Sequence, residues 1–315
     1  MTTRQIFYND EQFSIRAGWR IALFIIIVAI VSFSILSLVK IVFAHFPYFK
    51  MQSVGMFFVY ISLTLATWIT LRFVDKRPFV SVGITWKAHI AKELSQGLVL
   101  GFGMMSVIYV AEYSLGWVVI EYRNIATGEW MTIFANSAFL YVVVGYGEEL
   151  LFRGYILQTL AEGTNKIIAV VSFSVIFGYA HAGNPNVTFF ALVNVVLAGI
   201  WLSVAYFKTG DLWLSIGLHI SWNFTQGFIY SFPVSGTTSI HEQIGTAKQF
   251  GPAWITGGAF GPEGGTLATA VIILGTALIY FSSAIKKSEK VWTLEQWKAE
   301  RTLLVSSQQQ TTELS

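Results

Sequence analysis

Long apolar runs recur along this chain, and the first, from about Ile21 to Phe46, already restricts the fold. A helix rises about 1.5 Å per residue, so about 20 apolar residues cross the roughly 30 Å hydrocarbon core of a bilayer. The first run is longer than the apolar core of a signal peptide, which is roughly 7–15 residues, and no small-residue cleavage pattern follows it. It therefore predicts a retained membrane helix.

Eight such segments are expected. They cover approximately residues 20–44, 53–73, 96–119, 131–160, 165–182, 187–207, 211–232 and 266–285. The chain is 54% hydrophobic and 12% charged, whereas soluble domains carry roughly 25% charged residues. These features predict an all-α fold, a polytopic integral membrane helical bundle with about eight transmembrane helices. The chain has no cysteine, which excludes disulfides, thiolate metal sites and cysteine nucleophiles.

Three polar motifs interrupt the apolar segments. They are Glu148-Glu149-Leu-Leu-Phe-Arg153, Phe177-Gly-Tyr-Ala-His181 and His219-Ile-Ser-Trp-Asn223. Residues four positions apart share one face of a helix, so each motif presents two of its side chains together. Ionisable groups at bilayer depth are costly, which makes a functional site the first hypothesis for them.

The two adjacent glutamates are predicted to have different environments, because neighbours on a helix point about 100° apart. Glu149 precedes Arg153 by one turn, the order that favours an ion pair. Glu148 is then left without a permanent cation, which makes it the candidate general base for a water molecule. The simpler interpretation, ion pairing or contact with lipid headgroups, remains open for this motif taken alone.

The two histidines and the asparagine are candidates for the same site. His181 is placed to orient a water with Glu148 or to bind a metal through its neutral ring. His219 and Asn223 both donate hydrogen bonds from one face, as an oxyanion hole requires. Interfacial or interhelical hydrogen bonds are the alternatives. Along uniform spans His181 falls near the opposite face from Glu148, so convergence requires a shorter or tilted fifth span, or a re-entrant segment over 182–186.

In combination, the motifs resemble those of the CPBP intramembrane proteases, a family that includes CAAX prenyl endopeptidases and bacteriocin-processing or immunity proteins, formerly called Abi. The family pattern is E-E-x-x-x-R, then F-x-x-x-H, then H-x-x-x-N or H-x-x-x-D, and all three parts are complete here. The resemblance covers residues of roughly 130–225. It implies a hydrolase, an intramembrane endopeptidase that uses a water activated by glutamate and histidine.

The resemblance also implies a role for each matching position. Glu148 and His181 would activate the water, His219 and Asn223 would stabilise the tetrahedral oxyanion, and Glu149 and Arg153 would brace the site. The family is often labelled metalloprotease, and Glu148, His181 and His219 would form a zinc set with one open position. A metal-free mechanism fits as well, and no H-E-x-x-H helix is present. We therefore expect no cofactor, with Zn²⁺ as the alternative.

Turn residues and charge divide the chain into regions. The expected regions are a cytoplasmic N-terminus (1–19), N-terminal membrane helices (20–129), a catalytic membrane core (130–232), an extracytoplasmic loop (233–265), a last membrane helix (266–285) and a cytoplasmic tail (286–315). Lys and Arg, for example Arg72, Lys76 and Arg77, are concentrated on the side of the N-terminus. The positive-inside rule assigns that side to the cytoplasm, so we expect both termini there and the protein in the cell membrane.

Expected partners are membrane lipids and a membrane-associated protein or peptide substrate, with no nucleic acid. A prenylated CAAX substrate requires a host that prenylates proteins. One rival function is a non-catalytic immunity or scaffold protein of the same fold, which the complete motifs disfavour. Another is a proton-coupled transporter that uses Glu148 and the histidines as a relay. The sequence shows no paired halves with matching broken helices, which disfavours the transporter.

Overall fold

The computed structural model of the protein describes residues 6–9, 14–43, 51–86, 89–238 and 243–287, with the backbone alone for 51–54. Eight long helices form most of this part of the chain. In order, they are α1 (Ala17–Phe43), α2 (Met51–Ile69, with a π-helical turn over Thr70–Asp75), α3 (Ile90–Ser114), α4 (Thr127–Glu149, continued by a π-helical segment over Leu150–Ile156 and an α-helical end over Leu157–Gly163), α5 (Lys166–Ala180), α6 (Phe189–Thr209), α7 (Trp213–Phe224, with a π-helical turn over Thr225–Ile229) and α8 (Thr266–Phe281).

Parts of two predicted terminal regions lie outside the described residues. In the predicted tail, residues 288–315 are not among them, and in the predicted N-terminal region the same holds for 1–5 and 10–13.

The surface of the bundle is apolar. Helices α1 to α4 and α6 are long and apolar enough to cross a membrane, whereas α5 and α8 are apolar but shorter. In α1 only Arg20 and Phe24 are buried, while Phe33 and Ile41 are 76% and 71% exposed. Helices that are hydrophobic on all sides belong in a core or in a bilayer, and the protein itself does not cover these. The prediction of an all-α membrane bundle is confirmed.

Two short antiparallel strand pairs lie outside the helices of the described chain. Strands β1 (Tyr8–Asn9) and β2 (Ser14–Ile15) pair with each other, and β3 (Val118–Tyr122) pairs with β4 (Gly245–Gln249). The predicted third span, 96–119, is wrong at its end, because α3 stops at Ser114. Gly116 has a φ of 69°, which glycine adopts readily, and the β-branched residues that follow favour a strand.

The short helix α5 determines the position of His181. It has 15 residues and ends at Ala180, so His181 lies 15 residues after Lys166 (181 − 166), as Glu148 lies 15 residues before Gly163 (163 − 148). At about 1.5 Å per residue, both are about 22 Å from the turn that joins α4 to α5. The two residues therefore lie at a similar distance from this turn, as convergence on one site requires.

Side-chain caps fix the starts of the two helices that flank His181. The side-chain oxygen of Asn165 accepts a hydrogen bond from the backbone N–H of Ile168 at 2.9 Å, at the start of α5. The hydroxyl of Thr188 accepts one from the backbone N–H of Ala191 at 3.0 Å, at the start of α6. Such caps satisfy N–H groups that lack a partner within the helix.

Helices α3 and α7 approach each other through glycine. Gly97 and Gly101 of α3 form a G-x-x-x-G pattern, and they face Gly217 and its neighbours on α7. A Cβ atom on Gly217 would lie 2.5 Å from the carbonyl oxygen of Leu94, and one on Gly97 would lie 2.8 Å from the backbone nitrogen of Leu218. Small residues permit such close contact between membrane helices. This contact supports α7, which carries the third polar motif.

A buried ion network joins α1, the end of α2 and the end of α4. Arg20 donates to both carboxylate oxygens of Asp75, at 2.8 and 2.9 Å, and to Glu162 at 2.6 Å. Arg77 lies 3.2 Å from Asp75 and 3.4 Å from Glu162. Two cations thus balance two carboxylates, and the bidentate arginine geometry is the strong one. Sequence reasoning placed Arg77 on the cytoplasmic side without finding these partners.

The glycine contact yields a testable prediction. Replacing Gly97 by leucine forces α3 away from α7, and we expect a destabilisation of about 1–3 kcal/mol, as for other overpacked sites. The matched control is Gly103→Leu on the same helix, because a Cβ atom there meets nothing within 4 Å. Melting temperatures of the purified variants in detergent measure the effect. Equal melting temperatures for the two variants would contradict the packing argument.

Candidate active site

One cavity of about 360 Å³ collects the polar motifs. Its walls include Glu148 of α4, His181 at the end of α5, and His219 and Asn223 of α7. The remaining predicted residues, Glu149 and Arg153, are buried behind this wall. Apolar side chains complete much of the lining, among them Val144, Phe152, Val195 and Leu202. The structure therefore brings the four predicted catalytic residues to one space within a mainly apolar bundle.

Glu149 is the centre of a buried hydrogen-bond network. The side chain is fully buried, and its Oε1 accepts hydrogen bonds from Arg153 Nη1 and from His219 Nδ1, both at 2.9 Å. Arg153 Nη2 also donates to the carbonyl oxygen of Gly199 at 3.4 Å. These contacts link α4 to α6 and α7. If one of the three helices moved, a buried charge would be left without its partner, which is costly.

Phe177 connects the first motif to the second. The Arg153 guanidinium lies 4.5 Å from the centroid of the Phe177 ring, within the range of a cation–π contact. The Phe177 ring also lies 4.8 Å from the ring of His181. A buried phenylalanine thus touches both polar groups, and its position explains why an aromatic residue suits the place four residues before His181.

Glu148 differs from its neighbour in environment. Its side chain is 20% exposed, against 0% for Glu149, and its Oε2 lies 3.9 Å from His219 Nε2. Within the described part of the chain, that Oε2 atom is buried and has no hydrogen-bond partner. The two adjacent carboxylates thus differ: Glu149 is paired with Arg153 behind the cavity, whereas Glu148 lies in the cavity wall, where the hydroxyl of Tyr60 hydrogen-bonds to its side chain but its Oε2 has no hydrogen bond.

Hydrogen bonds orient both histidine rings. His181 Nδ1 donates to the carbonyl oxygen of Phe177 at 2.8 Å, so a neutral His181 ring has its lone pair on Nε2. His219 Nδ1 donates to Glu149, which directs Nε2 towards Glu148. Asn223 is one turn further along α7 and also lines the cavity. Among the described residues, no hydrogen bond occupies its side-chain amide.

The loop that precedes α8 adds a carboxylate that sequence reasoning missed. Glu263 lines the cavity and accepts hydrogen bonds from Trp222 Nε1 at 3.0 Å and from the backbone and hydroxyl of Ser235 at 2.7 and 2.8 Å. Asn194 of α6 donates to the carbonyl oxygens of Glu263 and Gly265, both at 2.8 Å. The one sequence signal was an acidic residue within a segment rich in glycine and proline.

The predicted zinc set is not assembled. Glu148, His181 and His219 do not bring three ligand atoms within 4.8 Å of one another, although two of them approach to 3.9 Å. A zinc centre needs at least three protein ligands around one point. The three residues as placed do not fit such a centre.

The helix changes its winding at the site. Glu149 is the last α-helical residue before the π-helical segment Leu150–Ile156 of α4, and Asn223 lies just before the π-helical turn Thr225–Ile229 of α7. Short π-helical segments occur often at functional sites, because their wider turn alters the direction of the side chains. Two of the three motifs thus adjoin such a segment.

The chain is similar in sequence to known proteins. Residues 129–225 match the family model described as type II CAAX prenyl endopeptidase Rce1-like. The chain is also 24% identical over 238 residues to the uncharacterized protein YyaK of Bacillus subtilis (strain 168), a similarity that covers 73% of this chain and 76% of that protein. No solved structure matches the chain. The matched segment contains all three motifs, and over residues 129–225 the chain carries an Rce1-like CAAX endopeptidase domain, consistent with the CPBP family.

Proposed function

We propose that this protein is an intramembrane endopeptidase that hydrolyses peptide bonds of membrane-associated proteins or peptides. The observation that carries the proposal is the one cavity whose wall contains Glu148, His181, His219 and Asn223, from three helices. The match to an endopeptidase family supports protease activity at the level of the family. Hydrolysis by water requires a general base, a group that orients the water and donors for the oxyanion. The four residues supply these groups.

Glu148 acts as the general base in this proposal. Its carboxylate takes a proton from a water held with the help of the His181 ring, while the water oxygen bonds to the carbonyl carbon of the substrate. When the tetrahedral intermediate collapses, the C–N bond breaks and Glu148 returns the proton to the leaving nitrogen. His181 suits its role because its Nδ1 is already bound to the Phe177 carbonyl, which leaves Nε2 to accept from the water.

His219 and Asn223 hold the negative charge that develops on the substrate oxygen. Since His219 Nδ1 donates to Glu149, its Nε2 donates only when the ring is an imidazolium. That state balances charge: His219 and Arg153 then carry two positive charges against the two carboxylates of Glu148 and Glu149. Asn223 adds an amide donor from the same face of α7. Donors aimed at the developing oxyanion typically contribute about 10²–10³ in rate.

The apolar lining favours a substrate that reaches the site from the membrane. Much of the wall is aliphatic or aromatic, and a cavity of about 360 Å³ is in the range of small-molecule sites, roughly 300–1,000 Å³. It therefore accommodates only a short stretch of peptide around the bond that is cleaved. We place the enzyme in the cell membrane with both termini in the cytoplasm, as the distribution of Lys and Arg indicates.

One prediction of the proposed function concerns the general base. Glu148→Gln keeps the shape of the side chain but removes its basicity, so we expect cleavage to fall by at least about 100-fold. The measurement is a comparison of protein termini by mass spectrometry in membranes of cells that express either wild type or Glu148→Gln at matched levels. The control is Glu121→Gln, which alters an exposed carboxylate paired with Lys248 on the neighbouring strand.

Each outcome of this comparison is informative. Termini that disappear with Glu148→Gln and remain with Glu121→Gln establish proteolysis and name the substrates. Identical termini in all three strains, in cells where the wild type still produces a phenotype, would favour the non-catalytic immunity or scaffold function instead.

Another prediction concerns the buried ion pair of Glu149 and Arg153. Arg153→Ala leaves the buried Glu149 without its arginine, and breaking a buried pair in this way typically costs about 3–5 kcal/mol. We therefore expect lower abundance and a lower melting temperature. Arg123→Ala is the matched control, because Arg123 and Glu129 form an exposed pair and such pairs contribute at most about 1 kcal/mol. A stable and fully active Arg153→Ala variant would refute the bracing role.

A further inference from the structure

A second polar cluster lies at the start of α3, away from the catalytic cavity. His89 Nε2 is 3.2 Å from Asp211 Oδ2 and 4.0 Å from Glu93 Oε1. In the described chain, this is the one group of three histidine or acidic side chains whose ligand atoms all lie within 4.8 Å of one another. None of the three lines the cavity, so the cluster is separate from the proposed active site.

Both carboxyl groups of this cluster are buried, and one of them has an oxygen atom without a partner. Asp211 is fully buried and Glu93 is 5% exposed. Glu93 Oε2 has no hydrogen-bond partner among the described residues, and the ion-pair partner of both carboxylates in that part of the chain is His89. Two buried carboxyl groups therefore lie beside a single imidazole, and buried carboxylates are costly unless they are paired or coordinate a metal.

We infer that His89, Glu93 and Asp211 bind a divalent transition-metal cation such as Zn²⁺. An imidazole nitrogen and two carboxylate oxygens are ligands that zinc accepts, with water as a fourth ligand. The separation of 3.2 Å between His89 Nε2 and Asp211 Oδ2 suits two ligands of one ion at about 2.0–2.2 Å, and a small shift of Glu93 would bring its oxygen, now 4.0 Å from His89, to a similar distance.

The surroundings of the cluster support a built site. The hydroxyl of Thr85 donates to Asp211 Oδ2, and the backbone N–H of Leu212 donates to Asp211 Oδ1 at 2.9 Å. Partners of this kind orient a ligating carboxylate. The His89 side chain is 18% exposed, which gives a cation a path into the site.

The cation would act as a structural link. His89 and Glu93 belong to the start of α3, whereas Asp211 lies in the turn between α6 and α7. A bound ion therefore clamps α3 to α7 at one end of their glycine contact, and α7 carries His219 and Asn223. This role is independent of the proposed peptidase activity, and binding is its direct readout.

The test measures zinc binding by the purified full-length protein in detergent, after removal of metal with a chelator. A chromophoric zinc chelator serves as the competitor, and thermal unfolding is recorded with and without Zn²⁺. We expect the wild type to bind one equivalent and to melt at a higher temperature with zinc. Glu93→Gln and His89→Ala should each weaken binding at least tenfold and abolish the zinc-dependent shift, and Glu148→Gln should retain both properties.

Two results would overturn the inference. One is zinc binding by the wild type that is no stronger than binding by His89→Ala, a variant chosen because the ring is partly exposed and its loss is tolerated more easily. The other is a loss of binding with Glu148→Gln but not with Glu93→Gln, which would move the metal to the catalytic cavity. Melting temperatures without zinc show whether each variant is folded.

Discussion

The buried carboxylate of Glu149 is the constraint on which the arrangement of the bundle depends. A carboxylate removed from water is stable only when cations and donors surround it. Arg153 on the same helix and His219 on α7 supply them at 2.9 Å, and Arg153 is held in turn by Gly199 of α6. Three helices are therefore fixed relative to one another by one charged group. Glu148, the preceding residue of α4, is positioned as a result.

The same principle operates at the other end of α4. There Glu162 shares Arg20 and Arg77 with Asp75, in a network of balanced charge that joins α1 and α2 to α4. Apolar contacts alone discriminate poorly between a helix and a lipid tail, since both are hydrophobic. Buried polar networks supply the missing specificity, because each charge must meet its own partner. The bundle is thus specified by close glycine contacts and by paired charges.

The sequence predicted the local part of this structure well, because the relevant signals are local. Long apolar runs predict helices, and a spacing of four residues places Glu149 beside Arg153 and His219 beside Asn223 on one face. Contacts between distant segments were not accessible in this way. His89 and Asp211 are 122 positions apart, and no periodicity connects them. The depth of His181 relative to Glu148 depended on the ends of two spans, predicted as 131–160 and 165–182, whereas α4 continues to Gly163 and α5 covers Lys166–Ala180.

The π-helical segment of α4 has a consequence for the register of that helix. Hydrogen bonds there run from i to i+5, so the segment holds one residue more than an α-helix with the same number of turns. One residue corresponds to a rotation of about 100° in an α-helix. The extra residue therefore rotates the far end of α4 relative to Glu149, which lets Glu162 face Arg20 while Glu149 faces His219. If a single residue were deleted from Leu150–Ile156, α4 could place Glu149 beside His219 or Glu162 beside Arg20, but not both.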